Sequence, residues 1–470
     1  MRRLDFTNIQ GNVLWGYHLA VTRLHFLRVT DGDGGRAFVG ALAPHVMTSV
    51  RWPAGKPNAA INLAFTHPGL AALGVPPRTL SGFPPEYQQG MRARAPLLND
   101  SGENAPERWE WPWERGDVHV LVWLSATSAA HLDRVSQMVL AGADAAGGLV
   151  LVRTEDAARL VIDGVVTDKE HFGFTDGYSN PEIDGTGGVD HPDPPGGGKI
   201  LEDGSWAQLA TGELLLGYPD EAGALPPAPL PVGFVRDGTF LVVRKLHQRV
   251  GSFRRFLREE GSRYAGGPER LAAKMLGRWP DGTPLVAGDA ARPRVDRGVL
   301  SDDALYTDFR YGDDPSGFRC PMGAHVRRAN PRDATGFGTL LSERRRFMRR
   351  GMAYGPAVPA DEPGDDDGEH GMLFMALGAS IERQFEFVQR EWLNYGNDFY
   401  QGNDGDPLFG GSGTRRKFLI PGDPRPGPGN VPPYVCRDLP AFVRLLGGDY
   451  FFVPSITAID MIAGGRVDTQ

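Results

Sequence analysis

The sequence predicts an α+β fold built in two successive halves, each an antiparallel sheet with helices on one face. Three observations carry this. Short apolar runs of strand character alternate with stretches of helical period in the first part of the chain. A Gly/Pro-rich connector from Asp184 to Gly198 then interrupts the pattern, as a loop or linker does. The same alternation resumes near Gly212 and runs to the end, which hints at duplication without evident identity between halves. At 470 residues the length prior suggests roughly three domains, and two larger ones also fit. We place the boundary between 205 and 206, giving units 1–205 and 206–470.

The elements follow in order. Val21 to Val29 reads as a strand, and Ala60 to His67 as a second, ended by Pro68-Gly69. Leu70 to Gly74 reads as a short helix with its stop. Val118 to Leu124 is a near-continuous apolar strand. Thr127 to Ala145 follows with helical spacing at Leu132, Val135, Met138 and Val139. Val150 to Arg153 is the next strand. In the second half, Thr239 to Arg244 is a strand, and Ser252 to Arg263 and Pro268 to Leu276 are helical. Ser380 to Asn394 shows the clearest helical period, with Ile381, Phe385, Val388 and Trp392 on one stripe. Tyr450 to Pro454 is a late strand. Ala222 to Pro231, Ala357 to Gly371 and Pro421 to Pro433 read as loops.

Composition excludes several classes. The net charge of -8 argues against a general nucleic-acid surface. Hydrophobic residues at 41% leave room for a large core, yet no run of about 18 apolar residues exists to span a membrane. Arg2-Arg3 is followed by a polar stretch rather than an apolar one, so no signal peptide is read and a cytoplasmic location is expected. Two cysteines, Cys320 and Cys436, make neither a disulfide framework nor a four-thiolate site. Cys320 lacks a partner cysteine, so it reads as a small buried hydrophobe.

Chemistry concentrates in three segments. The first is His171-Phe172-Gly173-Phe174-Thr175-Asp176-Gly177-Tyr178-Ser179-Asn180-Pro181, where one carboxylate sits among aromatics and glycines on a turn. Such glycines let backbone approach a ligand closely and aim the acid. The second surrounds His325, in Cys320-Pro321-Met322-Gly323-Ala324-His325-Val326-Arg327-Arg328. A lone histidine among small residues reads as a core residue or as a ligand. It is too little for zinc, but enough for a haem, which asks the protein for one axial base. Arg327, Arg328 and Arg332 could then meet the haem propionates. The third is Arg344-Arg345-Arg346-Phe347-Met348-Arg349-Arg350-Gly351-Met352-Ala353-Tyr354-Gly355, either a solvated basic surface or an anion-facing one. A fourth cluster, Asp361, Glu362, Asp365, Asp366, Asp367 and Glu369, lacks calcium-loop spacing and reads as a solvated acidic insertion.

Together these segments resemble the dye-decolorizing peroxidases, in the larger fungal and bacterial branch. Gly173-Phe174-Thr175-Asp176-Gly177 matches the GxxDG signature of that family, and the Cys320 to Arg327 segment matches the one carrying its proximal histidine. Arg349 to Gly355 is similar to the segment beginning with its distal arginine. Weaker matches run from Asn8-Ile9-Gln10-Gly11-Asn12 to Gly447 through Ser455. Ala353 departs from a frequent proline, and Arg346 is the fallback for the distal arginine.

The resemblance implies two ferredoxin-like domains, with the haem between sheet and helices mainly of the second, and the first ending in the Asp176 loop. It implies haem b with His325 as axial ligand of the iron, Asp176 as proton shuttle and Arg349 as the charge-stabilising partner. Phe174, Thr175, Gly177, Ser179 and Arg327 are the expected remaining cofactor contacts. A carboxylate is expected behind His325, with Asp398 as candidate. Hydrogen peroxide and aromatic reductants such as dyes or phenols are the implied substrates, and Trp279, Tyr354, Trp392 and Tyr395 are candidates for relaying electrons. A free aspartate titrates near about 3.9 and a guanidinium lowers it, so activity in acid is expected. The alternatives are a protein of the same fold that handles haem or haem iron, and a module that has kept only the scaffold.

Overall fold

The computed structural model describes residues 4–467 apart from 53–54, 187–195, 289–305, 336–338, 360–363, 365, 411–415 and 423–431. Arg2, Arg3, part of the connector and of the last loop, and Asp361, Glu362 and Asp365 of the acidic run lie outside the described residues.

A nine-stranded antiparallel sheet organises the chain. The first half contributes β1 (Val21–Val29), β2 (Ala59–Phe65), β3 (Val120–Ala126) and β4 (Leu149–Ala158). The second contributes β5 (Thr239–Gln248), β6 (Met348–Arg349), β7 (Met352–Tyr354), β8 (Gly371–Gly378) and β9 (Val443–Val453). The order across the sheet is β6-β8-β5-β9-β2-β3-β1-β4, with β7 also on β8. Each half thus places its first strand between its last two, the ferredoxin-like order. The same spatial order in both accounts for the repeated alternation of the sequence. The halves join through β9 and β2 at Phe452 and Phe65. β7 packs against β4, bringing the two ends of the sheet together.

The helices form for legible reasons. α1 (Gly32–Leu42) is capped by Asp31, whose carboxylate accepts Gly34 N–H. α2 (Ala129–Ala146) starts at the Ser128 cap and stops at Gly147, which is left-handed at φ 70°. Its buried stripe of Leu132, Ser136, Val139 and Ala143 lies on the sheet. Val120 to Ala126 is wholly buried, which is why its sequence shows no alternation. In the second half α3 (Val250–Gly261) and α4 (Gly267–Leu276) follow β5. The segment expected as an α-helix over 380–394 is helical, but it is wound mainly in wider π turns over Glu382–Glu386 and Val388–Leu393. Glu386 N–H reaches back five residues to Ile381 O, and Asn394 N–H to Gln389 O.

The acidic insertion is less solvated than expected. Asp366 accepts from Ser252 N–H at 2.7 Å and Ser252 Oγ at 2.6 Å, and so holds the start of α3. Arg254 donates to Val358 and Pro359 carbonyls nearby. The drawn boundary between 205 and 206 falls in the turn of a small hairpin pairing Lys199–Ile200 with Trp206–Ala207. Among the described residues no helix is long and apolar enough to cross a membrane.

Candidate active site

The chain after β4 carries Asp176 in a loop closed on itself. Asp176 N–H donates to Asp168 O at 2.9 Å, and Thr175 binds Pro280 O through its N–H at 3.0 Å and Oγ1 at 3.1 Å. Gly177 takes φ 92°, a conformation a side chain resists, and its N–H returns to Asp176 Oδ1 at 2.6 Å. Ser179 is also left-handed at φ 61°, and its Oγ accepts from Arg278 and Arg332, each at 3.2 Å.

This loop meets the edge strand β6. Arg349 Nη1 donates to Asp176 Oδ1 at 3.0 Å, and Nη2 donates to Tyr178 O. Asn180 fixes the register from the other side: its Oδ1 accepts Arg349 N–H at 2.9 Å, and its Nδ2 donates to Arg349 O at 3.4 Å. Among the described arginines of this run, only Arg349 reaches Asp176. Arg346 is spent on the carbonyls of Ser179, Gly197 and Gly198, and Arg345 stacks on Phe387. Arg344 pairs with Asp220, and Arg350 donates to Asn12 O and Arg349 O. Asp176 and Arg349 together face a cavity of about 460 Å³, walled also by Trp15, Tyr17, Met348 and Met372.

His325 does not line that cavity. It begins α5 (His325–Ala329), on the crossover between β5 and β6. Its Nδ1 lies 2.9 Å from Asp406 Oδ2. Asp406 is fully buried, and its Oδ1 accepts Leu408 N–H at 2.8 Å and Phe409 N–H at 2.9 Å. Burial alone would raise this carboxyl, but His325, the backbone donors and Arg328 prevail and hold it below the usual carboxylate range. An ionised Asp406 accepts from Nδ1–H, so in the neutral ring it is Nε2 that presents the lone pair. Nε2 makes no hydrogen bond among the described residues, and the side chain is 23% exposed. Phe409 stacks on the ring at 5.2 Å and also flanks the buried cluster that contains Phe174. That cluster links the Asp176 loop to the His325 side.

Two expectations are corrected here. Asp398 is not the partner of His325: its Oδ2 accepts the Trp392 indole N–H at 2.9 Å, and Asp406 takes the position behind the histidine. Arg327 is not offered to a cofactor carboxylate: it is fully buried, pairs with Asp314 at 3.2 Å and donates to Cys320 O at 2.7 Å. Arg328 is likewise committed to the carbonyls of Gly323, Trp392, Tyr395 and Asp404, and Arg332 to Phe309 O and Ser179. Trp279, Tyr354 and Trp392 are buried in the core, whereas Tyr395 is 43% exposed. Cys320 and Cys436 are buried free thiols, pushed by burial up to about 11 and about 12. Asp406 escaped the sequence reading. Its only signal was a Gly-Asp-Pro turn of the kind that aims an acid.

Comparison with known proteins agrees over the whole length. The family model described as "DyP dimeric alpha+beta barrel domain" matches residues 8–150. Dye-decolorizing peroxidase msp1 of Mycetinis scorodonius is 29% identical over 97% of this chain and 87% of its own. The chain belongs to the dye-decolorizing peroxidase family. Among solved structures of the family, an ancestral D-type dye decolorizing peroxidase superposes with a TM-score of 0.80 at 29% identity, covering 98% of this chain and 99% of the other. A dye-decolorizing peroxidase in complex with 2,6-dimethoxyphenol gives 0.78 at 27% identity, covering 98% and 100%. Dye-decolorizing peroxidases are haem enzymes, and the residues here fit that group. An imidazole with a free Nε2 lone pair, its tautomer locked by a buried carboxylate, is what an axial ligand requires.

Proposed function

We propose that this chain is a haem b peroxidase that reduces hydrogen peroxide and takes electrons singly from aromatic donors, phenols and dyes among them. The observation that carries the reading is the Arg349–Asp176 contact at 3.0 Å on a cavity wall, in a chain that also holds His325 against buried Asp406. The haem supplies the redox-active iron at which peroxide is reduced, with His325 as its protein ligand. Asp176 takes a proton from one peroxide oxygen and returns it to the other, so that two water molecules leave once two donors have each given an electron and a proton. Arg349 holds the Asp176 carboxylate in place and supplies N–H donors toward negative charge developing on oxygen. Its partial exposure leaves it open to the cavity rather than sealed in an internal ion pair.

The test uses haem-loaded protein. Asp176→Asn and Arg349→Leu should keep the Soret absorption yet slow the reaction with peroxide by about a hundredfold or more. Unchanged rates in both variants would instead favour a haem-handling protein of the same fold.

A further inference from the structure

Glu170 opens the loop that carries Asp176, and the turn winds around its carboxylate. Oε1 accepts Phe174 N–H and Oε2 accepts Phe172 N–H, each at 2.9 Å. The backbone closes the same turn: Glu170 N–H donates to Phe174 O and Gly173 N–H to Glu170 O, both at 2.9 Å. A third donor comes from the second half of the chain, where Gln248 Nε2 at the end of β5 reaches Oε2 at 2.5 Å. Gln248 is buried, and its Oε1 has no hydrogen-bond partner among the described residues, so its amide is held in the loop through Glu170. Among the described residues Glu170 forms no salt bridge.

Three N–H donors converging on one side chain demand a group that only accepts, and a carboxylate is that group. A glutamine here would bring two N–H donors of its own against them. Burial pushes the Glu170 carboxyl up, the donors oppose this, and Asp176 adds like-charge repulsion. The other charged and titratable groups that line the cavity with Asp176 are Tyr17, His18, Arg159, Asp168, Lys169, Tyr178, Glu182, Arg349 and Arg350. Behind it His171 donates toward Tyr354 O, beside His370, which in turn neighbours His247 of β5.

We propose that Glu170 is the positioning residue for Asp176: its side chain sets the turn that presents Asp176 to Arg349. This rests on the reading of Asp176 as the group that moves the proton.

The experiment compares Glu170→Gln, Glu170→Asp and Asp176→Asn in the full-length, haem-loaded protein. Two quantities are read: amide exchange of the segment 170–177, and the rate of the reaction with peroxide. Glu170→Gln should raise exchange in that segment by about tenfold and slow the peroxide reaction by about ten- to a hundredfold, the scale set by misplacing a catalytic group. Glu170→Asp should recover part of the lost rate and exchange protection, since a carboxyl acceptor for the turn returns on a shorter arm. A wild-type rate together with wild-type exchange in 170–177 for Glu170→Gln overturns the proposal. So does a rate loss with exchange raised throughout the sheet. Asp176→Asn separates the two readings: if it reacts like wild type, the function proposed above fails, whereas a slow Asp176→Asn beside a wild-type Glu170→Gln removes only the role of Glu170.

Discussion

Replacing Asp406 with Asn inverts the hydrogen-bond polarity behind His325 while changing almost no volume. Leu408 N–H and Phe409 N–H both donate to Oδ1, at 2.8 and 2.9 Å, so the carboxamide oxygen must take that position. The NH2 then faces His325 Nδ1, where Oδ2 now stands at 2.9 Å. Two donors cannot share that contact, so the ring proton moves to Nε2 and the lone pair that serves an axial ligand is lost. Loss of such a partner costs about 10–100-fold in metal affinity, or about 1.4–2.7 kcal/mol. Titrating haemin into the apoprotein, followed by Soret absorption, reads this directly. Asp398→Asn is the control, because Asp398 serves the Trp392 indole instead. If Asp406→Asn binds haemin as wild type does while Asp398→Asn weakens it, the assignment of the carboxylate behind His325 is wrong.

Three other outcomes are expected. Asn180→Ala removes both side-chain bonds to the Arg349 backbone and should slow the peroxide reaction by about tenfold with little change in the melting temperature; a normal rate would show that β6 needs no such tie. Lys245 binds Glu155 at 3.1 Å and Glu110 at 3.0 Å between the two halves, so Lys245→Met should cost about 3 kcal/mol in urea unfolding, the low end for a broken buried pair because Arg153 still faces Glu155. Asp449 is pushed by burial from 3.8 up to about 6, so the folded state favours its protonated form. Its favourable contribution is complete below pH 3.8 and is lost as pH rises through about 6. Asp449→Asn, which can still accept from Met91 and Tyr450 N–H, should therefore raise stability by about 3 kcal/mol at pH 8 and leave it unchanged near pH 3.

What the sequence made legible follows from range. Val120–Ala126 and Thr239–Gln248 are buried throughout, so the apolar runs at 118–124 and 239–244 marked them as strands without knowledge of their neighbours. The helix at 380–394 was located by its stripe, which marks the segment as helical but does not say which carbonyl each N–H reaches, and that choice is what makes its turns π rather than α. Asp406 was hidden because it stands 81 residues from His325, a separation no local pattern encodes. Arg327 misled for a local reason. Two residues apart on a helix, side chains point about 200° apart, so the face that turns His325 outward sends Arg327 inward to Asp314.

The division of the site between the halves follows from the sheet. β4 and β6 are the two ends of the strand order, and both lead directly to the site: the Asp176 loop continues from β4, and Arg349 lies in β6. An edge strand leaves N–H and C=O groups without a ladder partner. At β6 the Asn180 carboxamide pairs with both backbone groups of Arg349, as a neighbouring strand would. The contact of β7 with β4 brings these two ends together. The seam where the sheet closes is thus also where Asp176 meets Arg349. A strand added at either edge would cover that seam, so the groups that satisfy the edge have to be side chains of the site itself.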